Sequence, residues 1–132
     1  MRPMQSGHPL TSVYIVDDSE SIRQRLVSML SDIREVTIVG EAKTGADAIE
    51  GIVRTKPNSV LLDLNLGATS ALGVLKAIRE RLPVTTFVVL TNHSEPQYRT
   101  ACTKAGARYF LDKSTEFDRV CEVIGEIAAK NH

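Results

Sequence analysis

Five polar side chains that could bind a phosphate or a metal stand at the ends of short apolar runs. They are the adjacent acids Asp17 and Asp18, the acid Asp63, the hydroxyl of Thr91 and the amine of Lys113. Two neighbouring carboxylates repel each other, so the fold must bring positive charge to them. Carboxylate oxygens suit Mg²⁺, which keeps several waters and takes one or two carboxylates together with phosphate oxygens. Lys113 could neutralise a phosphoryl group, and Thr91 could donate a hydrogen bond to it.

Ten alternating segments predict how these side chains are positioned. Apolar runs or two-residue alternation indicate strands over 11–17, 36–42, 59–64, 85–91 and 108–113. Helical spacing of apolar residues indicates helices over 19–32, 45–55, 71–82, from Ser94 and Pro96 to Gly106, and over 115–130. Thr44 is the expected N-cap of the second helix, and Tyr98 and Cys102 are expected on the inner face of the fourth.

Strand–helix alternation of this kind predicts an α/β fold, a doubly wound parallel sheet of five strands with helices on both faces. Ligands of such sheets bind beyond the carboxyl ends of the strands. The five polar residues are therefore expected to meet at one edge of the sheet.

Length and composition exclude several classes of protein. A chain of 132 residues predicts one domain over 11–132, after a disordered lead-in over 1–10. The chain has 16 Lys and Arg residues and 16 Asp and Glu residues. It therefore lacks the excess of basic residues that would indicate nucleic-acid binding. No apolar run approaches the ~20 residues of a membrane span, and the first residues lack the apolar core of a secretion signal. Cys102 and Cys121 lie on apolar helical faces, which indicates reduced core cysteines and a cytoplasmic location.

The motifs around the five residues resemble the receiver domain of bacterial two-component response regulators. The matching stretches are IVDDSESIRQRL, VGEAKTGADAIE, KPNSVLLDLNL, VVLTNHSE and GARYFLDKS. They extend over nearly the whole chain, from about Thr11 to Lys130. The resemblance implies the flavodoxin-like (βα)5 fold with strand order 2-1-3-4-5.

The resemblance also implies roles for the residues that match the family motifs. Asp63 would accept a phosphoryl group from a sensor histidine kinase or a phosphotransfer protein. Asp17 and Asp18 would hold Mg²⁺ together with Asp63 and the backbone carbonyl of Asn65. Lys113 would contact the phosphoryl group. The phosphorylation would be self-catalysed, so the chain would not be an enzyme that acts on a released substrate.

Two further matches imply a conformational switch. Thr91 and Phe110 correspond to the pair that responds to phosphorylation, and the surface of the fourth helix, fifth strand and fifth helix would change with them. A homodimer through that face is one partnership that the resemblance allows. It implies neither direct nucleic-acid binding by this chain nor membrane association.

Four features depart from the family pattern or extend it. Ser114 stands where the family often has a proline joined by a cis bond, so this chain requires either a costly cis bond or a different loop. Asn92 replaces a small residue and could either narrow access to Asp63 or hydrogen-bond the phosphoryl group. The loop LGATS over 66–70 lacks a frequent proline and is expected to be more mobile. His93 lies beside the predicted site, either solvated or tuning how fast water removes the phosphoryl group.

Each residue also has an ordinary structural interpretation when taken singly. Asp17 or Asp18 could be a helix N-cap, Lys113 a solvated surface lysine, Thr91 a strand-end residue and Phe110 a core residue. Their joint occurrence at four strand ends favours the functional interpretation.

Two other classes of protein share a parallel sheet and part of this chemistry. A phosphatase of the haloacid dehalogenase type needs a second acid two residues after its nucleophile, where this chain has Asn65. A flavodoxin needs a hydroxyl-rich phosphate loop after its first strand, whereas this chain has the acidic DDSE. Both patterns favour the receiver domain over these alternatives.

Overall fold

The computed structural model describes residues 10–66 and 70–130. Strands and helices alternate along the chain, as the sequence predicts. The strands are β1 (Thr11–Val16), β2 (Val36–Ala42), β3 (Ser59–Leu62), β4 (Thr86–Thr91) and β5 (Ala107–Asp112). The helices are α1 (Glu20–Leu30), α2 (Gly45–Thr55), α3 (Ala71–Arg81), α4 (Pro96–Lys104) and α5 (Arg119–Lys130).

The five strands form one parallel sheet in the order β2-β1-β3-β4-β5. This confirms the predicted doubly wound fold and its strand order. All four residues of the central strand β3 are buried, because helices cover both faces of the sheet. The more exposed strand β2 lies at one edge.

Two hydrophobic cores lie on opposite faces of the sheet. One core includes Ile52 of α2, Leu75 of α3 and Cys102 of α4. The other includes Leu26 of α1 and Ile124 of α5. All five of these side chains are at most 1% exposed, so each helix buries apolar residues against the sheet.

Side-chain caps start three of the helices at fixed residues. Ser19, Thr44 and Ser70 each accept a hydrogen bond from the backbone N–H three residues later. Thr44 accepts from Asp47, which confirms the predicted start of α2. These caps fix where each chain segment turns from a strand end into a helix.

Two local predictions are wrong. Helix α5 begins at Arg119 and not at residue 115, because residues 113–118 form turns closed by a hydrogen bond from Glu116 N–H to the Asp112 carbonyl (2.8 Å). Tyr98 is 42% exposed and not part of the inner face of α4; its ring lies tilted against that of His93, with centroids 5.7 Å apart.

Both cysteines are free thiols, as expected. Cys102 is fully buried, whereas Cys121 is half-buried, and burial raises the pKa of both thiols. Within the described residues no helix has the length and apolar character needed to span a bilayer. The predicted lead-in, apart from Leu10, and residues 67–69 of the LGATS loop lie outside the described residues.

Candidate functional site

The end of β1 gives its two adjacent acids different positions. Asp17 is only 2% exposed, and its Oδ1 accepts a hydrogen bond from Ser19 N–H (2.9 Å). Asp18 points to the surface. The N-cap of α1 is Ser19, whose hydroxyl accepts from Ile22 N–H. Neither acid is therefore the helix cap that either could have been when taken singly.

Lys113 lies between the buried acids. Its Nζ is 2.8 Å from Asp17 Oδ2 and 3.2 Å from Asp63 Oδ2. The Lys113 side chain is only 11% exposed, so it is not an ordinary solvated surface lysine. The Lys113 ammonium offsets the repulsion between the acids at these strand ends, because it places a positive charge between two negative ones.

The pKa values of Lys113 and Asp63 are shifted for different reasons. Burial disfavours the charge of Lys113, but the Asp17 and Asp63 carboxylates outweigh that effect and raise the pKa of its ammonium. Burial also raises the pKa of Asp63, and the attraction of Lys113 offsets this only in part because Asp17 repels the same carboxylate. Lys113 gains from two partners, whereas Asp63 has one partner and one neighbour of like charge.

The donor set at this edge fits a divalent cation. One carboxylate oxygen from each of Asp17, Asp18 and Asp63 lies within 4.8 Å of the others. Hard oxygen donors at this spacing are the ligands that Mg²⁺ prefers. Asn65 lines the same solvent-open cavity as Asp18 and Asp63, so it lies at the same site.

A cavity of about 270 Å³ opens onto these residues. Its lining includes Asp18, Asp63 and Lys113 together with Asn92 and His93. The two residues after β4 thus flank the approach to Asp63, as their place in the sequence indicated.

The predicted switch residues lie behind this cavity. Thr91 is fully buried, and its Oγ1 accepts a hydrogen bond from His93 N–H (3.0 Å). Phe110 is 7% exposed and belongs to the core on the α2–α4 side of the sheet. The guanidinium of Arg99 lies 4.7 Å from the centroid of the Phe110 ring, and Arg99 Nη1 donates to the Phe110 carbonyl at 3.4 Å. The aromatic ring therefore packs inward beneath an arginine of α4.

Ser114 was expected to require either a cis peptide bond or a loop that differs from the family's, and the loop differs. Every peptide bond between described residues is trans, so this loop differs from one with a cis proline. Ser114 N–H donates to Asp112 Oδ1 (2.7 Å), a bond that a proline could not make.

Two residues at the site were not predicted from the sequence. Arg23 donates from Nη1 to the Asp17 carbonyl (2.7 Å) and pairs through Nε with Glu41 (3.2 Å). No local pattern marks Arg23, because its partners come from other elements. Asp112 caps the turn after β5, and the pattern of an acid followed by Ser and Thr at a strand end was the available signal.

Comparison with known proteins identifies the family. The sequence model of the response regulator receiver domain matches residues 13–125. The chain is 32% identical over 104 residues to the uncharacterised transcriptional regulatory protein YhcZ of Bacillus subtilis, covering 79% of this chain and 49% of that protein. It is 33% identical over 121 residues to protein-glutamate methylesterase/protein-glutamine glutaminase 5 of Myxococcus xanthus, covering 89% of this chain and 35% of that protein.

Solved structures agree with the sequence match. The signal receiver domain of NarL from Mycobacterium tuberculosis superimposes with a TM-score of 0.84 at 30% identity, over 92% of this chain and 98% of that one. This chain therefore belongs to the response regulator receiver domain family, whose members act in two-component systems by phosphorylation of an aspartate. Family membership decides against the phosphatase and the flavodoxin. The chain spans about half the length of YhcZ and a smaller part of the methylesterase.

Proposed function

We propose that Asp63 is the aspartate of this receiver domain that accepts the phosphoryl group. The observation that carries the proposal is the ion pair between Asp63 Oδ2 and Lys113 Nζ (3.2 Å) at the floor of a cavity that opens to solvent. Asp17 also pairs with Lys113, but its other oxygen is engaged by the Ser19 N–H. Asp18 lacks the burial that keeps water away from an acyl phosphate.

The transfer is a direct displacement at phosphorus. A carboxylate oxygen of Asp63 forms the new bond to phosphorus while the bond to the donor breaks. The donor leaves as the imidazole of a sensor kinase or phosphotransfer protein, or as acetate when acetyl phosphate is the donor. The Asp63 carboxylate must be ionised to attack, and Lys113 neutralises charge on the transferred oxygens.

Asp17, Asp18, Asp63 and the backbone carbonyl of Asn65 would hold Mg²⁺ at this edge. The ion supplies additional positive charge against the phosphoryl oxygens. The ammonium of Lys113 pairs with two of these acids, Asp17 and Asp63, and would compete with the ion for their carboxylates.

The readout of phosphorylation runs through Thr91 and Phe110. In the proposed switch the Thr91 hydroxyl leaves the His93 N–H for the phosphoryl group, and Phe110 stays packed inward behind it. The face formed by α4, β5 and α5 then changes shape. The altered face then binds either another protein or a second copy of this chain.

Incubation with acetyl phosphate and Mg²⁺, followed by intact mass measurement, tests the phosphoacceptor. The wild-type chain is expected to gain one phosphoryl group, and Asp63→Asn none. Asp118→Asn, which changes an exposed acid of the β5–α5 turn, is the matched control and should be modified like wild type. A phosphoryl group on Asp63→Asn would show that another residue is the acceptor.

A further inference from the structure

The turn that follows β5 carries Lys113 and is held by the residue just before it. Asp112 ends β5 opposite Thr91 of β4. Its Oδ1 accepts hydrogen bonds from Ser114 N–H (2.7 Å) and Thr115 N–H (3.2 Å). A single carboxylate oxygen of Asp112 thus holds the backbone of the two residues that follow Lys113.

Backbone bonds complete this arrangement around Asp112. Its N–H donates to Glu116 Oε1 (3.0 Å), and its carbonyl accepts from Glu116 N–H (2.8 Å). Glu116 is in turn paired with Arg119 at the start of α5 (2.8 Å). Hydrogen bonds from the Ser94 hydroxyl and from the Ser114 and Thr115 N–H groups lower the pKa of Asp112, so the cap stays ionised.

We propose that Asp112 is a positioning residue for the phosphorylation site: its carboxylate fixes the 113–116 turn and thereby aims the Lys113 ammonium at Asp17 and Asp63. The inference rests on the proposed function of Lys113. It explains how this chain manages without the proline that the family often has after the lysine. Ser114 supplies a backbone donor, and Asp112 supplies the acceptor that replaces the ring constraint of proline.

The geometry separates this role from a direct one. The Asp112 carboxylate accepts hydrogen bonds from the turn that follows it, whereas Lys113 makes the ion pairs with the site acids. The backbone of Lys113 is anchored to β4 by the bond from its N–H to the Thr91 carbonyl (2.8 Å). The chain after Lys113 is held by the Asp112 carboxylate, which accepts from the Ser114 and Thr115 N–H groups.

Loss of the cap should change two properties in opposite directions. Phosphorylation should slow, because a displaced ammonium no longer neutralises the transferred oxygens. Mg²⁺ should bind more tightly, because the ammonium competes with the ion for the Asp17 and Asp63 carboxylates. General loosening of the site would weaken both properties together, so the split distinguishes positioning from a structural effect.

The experiment compares four variants of the whole chain. Asp112→Ala removes the cap, Asp112→Asn keeps an oxygen acceptor at the same place, and Asp112→Glu keeps the charge but moves it one methylene away. Asp118→Ala removes an exposed acid between that turn and α5 and is the control. The measurements are the acetyl phosphate labelling rate and the Mg²⁺ dissociation constant, the latter from amide NMR shifts with the metal alone.

We expect Asp112→Ala to be labelled roughly tenfold more slowly, as misplacement of a catalytic group by a fraction of an ångström allows. Its Mg²⁺ dissociation constant should fall about threefold as the competing charge withdraws. Asp112→Glu should behave like Asp112→Ala, and Asp112→Asn and Asp118→Ala like wild type. The Asn and Glu variants carry the test if Asp112→Ala does not fold.

A double variant completes the test. Asp112→Ala combined with Lys113→Ala should match Lys113→Ala alone in both measurements, because a cap cannot position an absent ammonium. Additive effects, unchanged properties in Asp112→Ala, or a parallel loss of labelling and Mg²⁺ binding would each overturn the inference. Wild-type labelling of Lys113→Ala would instead refute the proposed function of Lys113, and the Mg²⁺ measurements would still report whether Asp112 positions it.

Discussion

Removal of the Asp18 carboxylate should stabilise this domain when divalent metal is absent. Oxygens of Asp17, Asp18 and Asp63 lie within 4.8 Å of one another, and Lys113 forms its ion pairs with the other two acids. The α1 cap belongs to Ser19, so Asp18→Ala removes a charge without removing that cap. In the absence of metal the Asp18 charge is therefore a net cost.

The size of this cost follows from the spacing. A like-charge pair at the 4.8 Å limit costs about 0.9 kcal/mol in water and about 3.5 kcal/mol at an effective dielectric constant of 20. Asp18 is exposed, so the lower value applies to each of its two pairs, and attraction to Lys113 cancels part of the sum. We expect a net gain of roughly 1 kcal/mol for Asp18→Ala in EDTA, which corresponds to about 3–5 °C in melting temperature for a domain of this size.

Thermal melts in EDTA measure the stability change without metal, and melts in roughly 10 mM Mg²⁺ measure the stabilisation by the ion. Wild type should gain about 1.4 kcal/mol from the ion if that concentration is ten times its dissociation constant. Asp18→Ala should gain little. Asp17→Ala is the matched contrast, because it breaks the buried pair with Lys113 and the bond to Ser19 N–H and should lose roughly 3 kcal/mol.

The result that would refute this reasoning is an Asp18→Ala protein that melts well below wild type in EDTA. That outcome would mean that Asp18 has a structural role and that repulsion among the acids is already relieved. Equal stabilisation of wild type and Asp18→Ala by Mg²⁺ would contradict the assignment of Asp18 as a metal ligand.

Three other predictions test the switch, the core and the nucleophile. Thr91→Ala should still be phosphorylated but should show smaller NMR shifts than wild type with beryllofluoride; identical shifts would place the switch elsewhere. Gly51→Ala should lower the free energy of unfolding in urea, because the added Cβ would overlap the Tyr14 hydroxyl. In Gly125→Ala the added Cβ meets no neighbouring atom within 4 Å, so that variant should gain up to about 1 kcal/mol from helix propensity. Equal stability of the two glycine variants would contradict that packing. Asp63→Asn should be more stable than wild type at neutral pH in EDTA, because burial raises the pKa of Asp63 and the ionised carboxylate is disfavoured in the fold. This advantage should shrink as the pH falls below the raised pKa and vanish below the ordinary pKa of an unfolded-state aspartate, where both states of wild type are protonated; an advantage that grows in acid would reverse the assigned sign.

The sequence by itself determined the alternation of strands and helices. Two-residue and 3.6-residue periods are local properties, so β2 and α2 have the predicted bounds and Thr44 caps where expected. Parallel strands present their carboxyl ends at one edge, which is why Asp63 and Lys113 could be placed together before any distance was known. The family resemblance supplied the strand order.

Tertiary structure decided which contacts each polar residue makes at that edge and how exposed it is. Asp17 and Asp18 are the same residue type in adjacent positions, yet successive side chains at a strand end point in different directions, so one is buried against Lys113 and the other faces solvent. The start of α5 and the hydrogen bonds that Asp112 accepts likewise depend on how the turn after β5 folds. Such contacts depend on where distant strands bring each side chain, and no local period encodes that position.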